Sequence, residues 1–236
     1  MQQSQPLKAL AILLIAVTIL VQTAFAQQTK TVSISNFNQV TVSSGIDLYL
    51  KQGNTENVSV VSSSELLKDV IIEKKGSSLN IRFKNNISWE RIFKGSNIKA
   101  YVTYKTLNSL SASGGSDVFT QNTLKTPRFT VHVSGGSDLK MDIMTQDMEI
   151  HASGGSDVEL KGRAKNMEIS SSGGSDIDAF DFIVENARVN SSGGSDVNIH
   201  VTKALEATSS GGADIVFKGK AALKNNSSKS GSVKRF

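Results

Sequence analysis

One pentapeptide constrains this chain more than anything else in it. Ser113-Gly114-Gly115-Ser116-Asp117 recurs at Ser134–Asp138, Ser153–Asp157, Ser172–Asp176 and Ser192–Asp196, and a sixth copy reads Ser210-Gly211-Gly212-Ala213-Asp214. Successive aspartates are 21, 19, 19, 20 and 18 residues apart. A fixed period of this length marks a structural repeat whose units stack. A degenerate copy, Ser43-Ser44-Gly45-Ile46-Asp47, lies far upstream.

The flanks say what kind of unit repeats. Around the third copy, Met148, Ile150, Ala152, Gly154, Ser156, Val158 and Leu160 share one parity, while Glu149, His151, Ser153, Asp157 and Glu159 take the other. Alternation of period two is a strand with one buried face. The parity continues through the Gly-Gly pair, so the second Ser of each motif, or Ala213, points inward and the Asp points out. One such unit cannot bury its apolar face alone. Stacking units in register, about 4.8 Å apart, buries like on like and pairs the backbones. The expected fold is therefore all-β: a parallel β-solenoid, or β-helix, of 18–21-residue coils, right-handed by the usual crossover preference. The paired glycines (Gly114, Gly115, Gly135, Gly136, Gly154, Gly155, Gly173, Gly174, Gly193, Gly194, Gly211 and Gly212) mark its corners.

Domain organisation follows from where the pattern holds. Residues 1–26 read as a cleaved signal peptide: Lys8 precedes an apolar run from Ala9 to Val21, and Ala24-Phe25-Ala26 supplies the small-x-small cleavage site. The run is shorter than the roughly 20 residues a spanning helix needs. Residues 27–106 form a less regular all-β half with alternation at Val40, Val42, Ile46, Leu48 and Leu50, and an excursion from Asn85 to Asn97 that carries Trp89 and Phe93. Residues 107–224 are the solenoid repeats, and residues 225–236 a basic, frayed tail.

Composition narrows the function classes. The chain has no cysteine, so disulfides, lipidation at a cysteine and thiolate metal sites are excluded. Its formal net charge is +5, but Lys218, Lys220, Lys224, Lys229, Lys234 and Arg235 account for all of that excess. The near-neutral remainder does not suit nucleic acid. Membrane contact is expected only through the signal segment or weakly through the basic tail.

At the level of families, the block Phe37-Asn38-Gln39-Val40-Thr41-Val42-Ser43-Ser44-Gly45-Ile46-Asp47-Leu48-Tyr49-Leu50-Lys51-Gln52-Gly53 carries a resemblance. So do Ala100-Tyr101-Val102-Thr103, Leu107–Leu110 and the SGGSD ladder behind a signal peptide. Over roughly residues 31–220 the chain resembles the putative auto-transporter adhesin, head GIN domain family of Bacteroidetes-type exported β-repeat proteins. The resemblance implies a β-solenoid sent to the periplasm, outer membrane or cell surface. It carries no catalytic residues.

Several side chains stand out as binding candidates. Asp117, Asp138, Asp157, Asp176, Asp196 and Asp214 should line one outward edge, where neighbouring carboxylates repel by roughly 1 kcal/mol even in water. Either each Asp caps its own turn by accepting backbone N–H groups, or calcium bridges the column; no other cofactor is expected. His132 and His151 each lie six residues before their motif's Asp and should stack, in a register shared with Ser111, Ser170, Asn190 and Thr208. Phe119, Phe180 and Val216 face outward and, with Trp89 and Phe93, offer an aromatic surface or meet the N-terminal half. Glu159, Asp178, Asp181 and Glu185 supply carboxylates without a spacing that marks an acid/base pair. There is no P-loop, HExxH or GxSxG signature. The expected role is a non-enzymatic envelope protein, adhesin-like, presenting polar ladders to a glycan or protein. A carbohydrate-active β-helix enzyme and a calcium-stabilised scaffold are the alternatives.

Overall fold

The computed structural model describes residues 28–62, 65–85, 90 and 98–236. The signal-peptide reading, with Ala24 and Ala26, lies outside them, as do Trp89 and Phe93. Apart from a 3-10 turn at Glu65–Asp69 and the helical residue Glu90, the regular structure of the described residues is strand. Each coil contributes one strand to a first sheet layer, turns at the Gly-Gly corner, contributes one strand to a second layer, and turns again.

The first layer holds β2 (Gln39–Ser43), β8 (Ser109–Ser113), β11 (Arg128–Ser134) and β13 (Asp147–Gly154). The second holds β3 (Asp47–Gln52), β9 (Val118–Thr120) and β12 (Asp138–Met144). From there the strands run through the far corner and serve both layers: β14 (Asp157–Gly173), β15 (Asp176–Gly193) and β16 (Asp196–Ser209). Pairing is parallel and in register, with Ser134 beside Ser153, Gly154 beside Gly173 and Asp157 beside Asp176. This is the parallel β-solenoid the repeat dictates.

The core lies between the layers and repeats coil by coil. Val131, Ile150, Ile169 and Val189 stack from the first layer, and Leu139, Val158, Ile177 and Val197 from the second, all essentially inaccessible. At each Gly-Gly corner the layers converge, and only a small side chain fits. Ser116, Ser137, Ser156, Ser175, Ser195 and Ala213 fill that place at 0% exposure. The serine hydroxyl also closes the corner. Ser175 Oγ donates to the Ser172 carbonyl at 3.1 Å, and Ser195 Oγ to the Ser192 carbonyl at 2.9 Å. A buried hydroxyl therefore has its partner, as burial requires.

The first glycine of the motif has a separate reason to be glycine. Gly173 has φ +80 and Gly193 φ +78, the left-handed region. A Cβ on Gly193 would lie 2.9 Å from both the N and the O of Gly173 in the coil before.

Chain order and stacking order differ in the N-terminal half. Strands β6 (Ser78–Phe83) and β7 (Lys99–Tyr104) form a coil, yet β2 pairs with both β6 and β8, and β3 with both β7 and β9. The β2–β3 coil is thus inserted between a coil that follows it in sequence and the first SGGSD coil. The degenerate Ser43–Asp47 copy thereby takes its own place in the corner stack, with Ser44 N–H donating to the Ser113 carbonyl. Antiparallel strands finish this end: β1 (Gln28–Val32) on β4 (Asn57–Ser62), β4 on β7, and β5 (Val70–Lys75) on β6. Strands from both sides of residue 107 therefore alternate in one stack, so the N-terminal half is continuous with the solenoid.

The frayed tail expected over residues 225–236 is also corrected. After β17 (Asp214–Lys218), β18 (Ala222–Asn225) pairs with β16 and β19 (Ser232–Arg235) with β17. The backbone ladder continues although the apolar alternation has faded. Arg235 takes an inward register position beside Phe217, laying its guanidinium 4.8 Å from that ring and donating to the Ala221 carbonyl at 3.1 Å.

Candidate functional site

The outward surface of the stack is a set of columns, one residue per coil. What each column offers depends on whether its side chains are already engaged with one another.

The aspartates form a column on the second layer next to the corner, pairing as Asp138–Asp157–Asp176–Asp196–Asp214, with Asp117 and Asp47 continuing it. Burial pushes the Asp47 carboxyl above the usual range, Asp117 beside it adds to the rise, and Lys99 opposes it. The expected turn-capping role is not what the corner shows. Backbone N–H groups there donate to the neighbouring coil instead: Gly174 to the Gly154 carbonyl at 2.9 Å, Asp176 to Ser156 at 3.0 Å, and Asp196 to Ser175 at 3.2 Å. They are not available to the carboxylates. Among the described residues no group of three or more His, Cys, Asp or Glu is placed to hold a metal ion. A shallow depression of about 320 Å3 is lined by Asp138, Lys140, Asp157, Glu159, Asp176 and Asp178. Glu159 within it is ion-paired to Lys140 and Lys161, each at 3.2 Å, and these lysines hold its carboxyl below the usual range.

Aromatic residues form a short ladder two positions along the same layer. The ring of Tyr49 stacks on Tyr101 at 5.0 Å and on Phe119 at 5.2 Å. Phe119 thus meets the N-terminal half. Both faces of the middle ring are covered by its neighbours, so Tyr49 presents only its edge. Phe180 packs against Phe236 at 5.4 Å under the Lys218 ammonium, away from Phe119 in the stack. Val216 is partly covered and joins neither group.

The first layer also carries a concavity of about 540 Å3, lined by two engaged columns. In one, Asn186 Nδ2 donates to Asn166 Oδ1 at 3.2 Å and Asn166 Nδ2 to Asp147 Oδ1 at 2.9 Å, with Arg128 3.6 Å from the Asp147 carboxylate. In the other, Glu206 pairs with Arg188 at 3.0 Å and Lys224 at 2.8 Å. The hydrogen bond from Lys224 leads the effects that lower the Glu206 carboxyl.

His132 and His151 do stack, with ring centroids 4.7 Å apart and 6° between planes. They occupy one register with Ser111, Ser170, Asn190 and Thr208. His151 Nε2 lies 2.9 Å from Glu149 Oε1, and that hydrogen bond leads the effects that lower the Glu149 carboxyl. Burial, then the neighbouring His151, lowers His132, while Glu149 opposes the shift.

Beside the glycine corner this register borders a trough of about 330 Å3. Its outward lining is His151, Ser153, Ser170, Ser172, Asn190, Ser192, Thr208 and Ser210. No hydrogen bond among the described residues engages the side chains of Ser170, Ser172, Asn190, Ser192 or Thr208. These donors and acceptors are open to a ligand, whereas those of the adjoining concavity are mostly consumed internally. Sequence reasoning placed the histidine register correctly. It missed the Asn166–Asn186 and Tyr49–Tyr101 columns, although aligning the coils on their glycines, and β2–β3 with them, would have exposed both.

No curated protein matches the chain. Solved structures match it over most of its length. A crystal structure titled a putative adhesin from Bacteroides fragilis is 20% identical, with TM-score 0.80, covering 89% of this chain and 97% of that one. A putative adhesin from Parabacteroides distasonis is 22% identical, with TM-score 0.70, covering 89% and 97%. A putative lipid binding protein from the same species is 18% identical, with TM-score 0.69, covering 89% and 96%. At these identities the likeness is one of fold. A family model, described as "Putative auto-transporter adhesin, head GIN domain", matches residues 36–221. That span takes in the inserted β2–β3 coil and every SGGSD corner, and the chain belongs to that family.

Proposed function

We propose that this protein is an exported, non-enzymatic cell-envelope module, adhesin-like, which holds a glycan on the outward face of its first sheet layer. The observation that carries the reading is the trough beside the glycine corner. It is a run of hydroxyl and amide side chains, once per coil, free of internal hydrogen bonds on a rigid support. Binding sites combine a preformed concavity with a few convergent polar groups, and placing them on strands fixes their spacing. Family membership supports the same reading.

The concavity between Arg128 and Glu206 gives the enzymatic alternative a specific observation, because Asp147, Glu149, Glu168 and Glu206 all line it. Glycoside hydrolysis needs one carboxyl held protonated near neutral pH beside one that is ionised. The hydrogen bond with His151 lowers Glu149, and the hydrogen bond from Lys224, together with the nearby Arg188, lowers Glu206. Asp147 is occupied by Asn166 and Arg128. Three of the four carboxylates are therefore engaged in hydrogen bonds and ion pairs, the pattern of a structural network.

Immobilised glycans of varied charge and linkage, probed with the full chain, test the proposal. Retention of at least one glycan at micromolar concentration, with no new reducing ends on prolonged incubation, is the expected result. A blank panel would overturn the binding reading, and released reducing ends would overturn the non-enzymatic one.

A further inference from the structure

The geometry points to a neutral, linear glycan lying along the solenoid axis in this trough, one sugar per coil, with His151 closing one end; this inference rests on the glycan-binding reading. Three observations carry it.

The first is direction. The trough is two columns wide and four coils long: His151–Ser170–Asn190–Thr208 and Ser153–Ser172–Ser192–Ser210. Its columns repeat at the strand spacing of about 4.8 Å, while neighbouring columns on one strand lie roughly 6.6 Å apart. A chain of pyranose rings joined through single oxygens advances by nearly one strand spacing per ring. Laid along the axis, each sugar meets the same pair of column positions in successive coils. Laid across the strands, it would run from free hydroxyls into the ion-paired column of Glu206 and Arg188.

The second is the end of the column. One face of the His151 ring is covered by His132. The next residue in the register is Ser170, whose side chain is too short to cover the other. Here the ladder stops, so the free imidazole face is turned along the axis and closes one end of the trough, where it meets the terminal sugar of the chain. Glu149 holds the ring in place through its 2.9 Å contact with Nε2.

The third is charge. No carboxylate, lysine or arginine lines the trough. Glu149 lies two residues from His151 on one side, and Asp157, Asp176 and Asp196 lie across the corner on the other. The first flank also holds Arg188, paired to Glu206, but carboxylates outnumber it there and stand alone in the aspartate column, so a polyanionic glycan meets mostly like charge while a neutral one meets only hydrogen-bonding groups.

Calorimetry of the full chain with linear β-1,4-linked glucose and N-acetylglucosamine series of one to six units tests this. For at least one series, affinity should rise at least tenfold from one to four units and then level off, because four coils line the trough. His151→Ala and Ser170→Trp, the latter filling the space beside the ring, should each weaken the tetramer at least fivefold. Unchanged thermal melting of both variants would show that the fold is kept. Affinity independent of length, or unaffected by both substitutions, would overturn the axial arrangement while leaving glycan binding intact. Retention of branched or anionic glycans, but of neither linear series, would overturn the ligand class.

Discussion

Gly193→Ala should destabilise the protein severely, whereas Gly155→Ala, at the second glycine of another copy of the motif, should be nearly silent. Gly193 sits at φ +78, where an alanine costs about 1–3 kcal/mol. Its new Cβ would stand 2.9 Å from the Gly173 backbone, in the middle of a stack whose coils have no room to separate. Pushing that corner apart adds about 1–3 kcal/mol more. It also disturbs the bond from the Gly194 N–H to the Gly173 carbonyl, 2.7 Å long. Gly155 has no left-handed φ, and a Cβ there meets nothing within 4 Å. Its replacement should shift stability by less than about 0.5 kcal/mol. Thermal or urea unfolding of the two variants gives the comparison directly. Equal effects would mean that the motif is not read by the fold one glycine at a time.

Phe182→Ala should cost about 3–5 kcal/mol. The ring is fully buried, and in the neighbouring coil its register partner is Gly162. That glycine has φ +117, and any Cβ on it would collide with the Ile143 carbonyl oxygen. The far corner therefore pairs one large residue with one that has no side chain. Parallel coils held by continuous ladders relax poorly into the space a lost ring leaves, so the cost should fall at the upper end. Denaturant unfolding with an unchanged slope would show that the folded state is merely less stable. A loss below about 1 kcal/mol would show that the far corner repacks freely.

What the sequence disclosed and what it hid divide along physical lines. The pentapeptide and its parity were legible because a corner that tolerates only Gly and Ser leaves the same letters in every coil. The inward burial of Ser156 and Ser175 follows from that parity, as does the pairing of His132 with His151. The β2–β3 insertion was not legible, because Ser43-Ser44-Gly45-Ile46-Asp47 keeps the corner shape with only one of its glycines, and nothing local fixes which neighbours it takes. The final coil was missed for a related reason: Lys224, Asn225 and Lys234 carry no apolar alternation, yet the backbone still pairs. Far-corner columns were hidden by changes of register, between Glu159 and Gly162 and between Ala179 and Ile183, which a fixed period does not track.

The candidate site divides in the same way. The aspartates caught attention because they repeat, but they repeat as part of the corner. The residues with hydrogen-bonding capacity to spare, Ser170, Asn190 and Thr208, differ from coil to coil and leave no motif. Their common property is a free side chain, which only three-dimensional register reveals.

Amide NMR of the full chain, titrated with the linear oligosaccharides, puts that division to its most direct test. The expected result is that shifted resonances cluster at Ser170, Ser172, Asn190, Ser192 and Thr208 and spare Asp117, Asp138, Asp157, Asp176, Asp196 and Asp214. Shifts confined to the aspartate column would contradict the account, since the motif would then be the binding device and the trough only its flank.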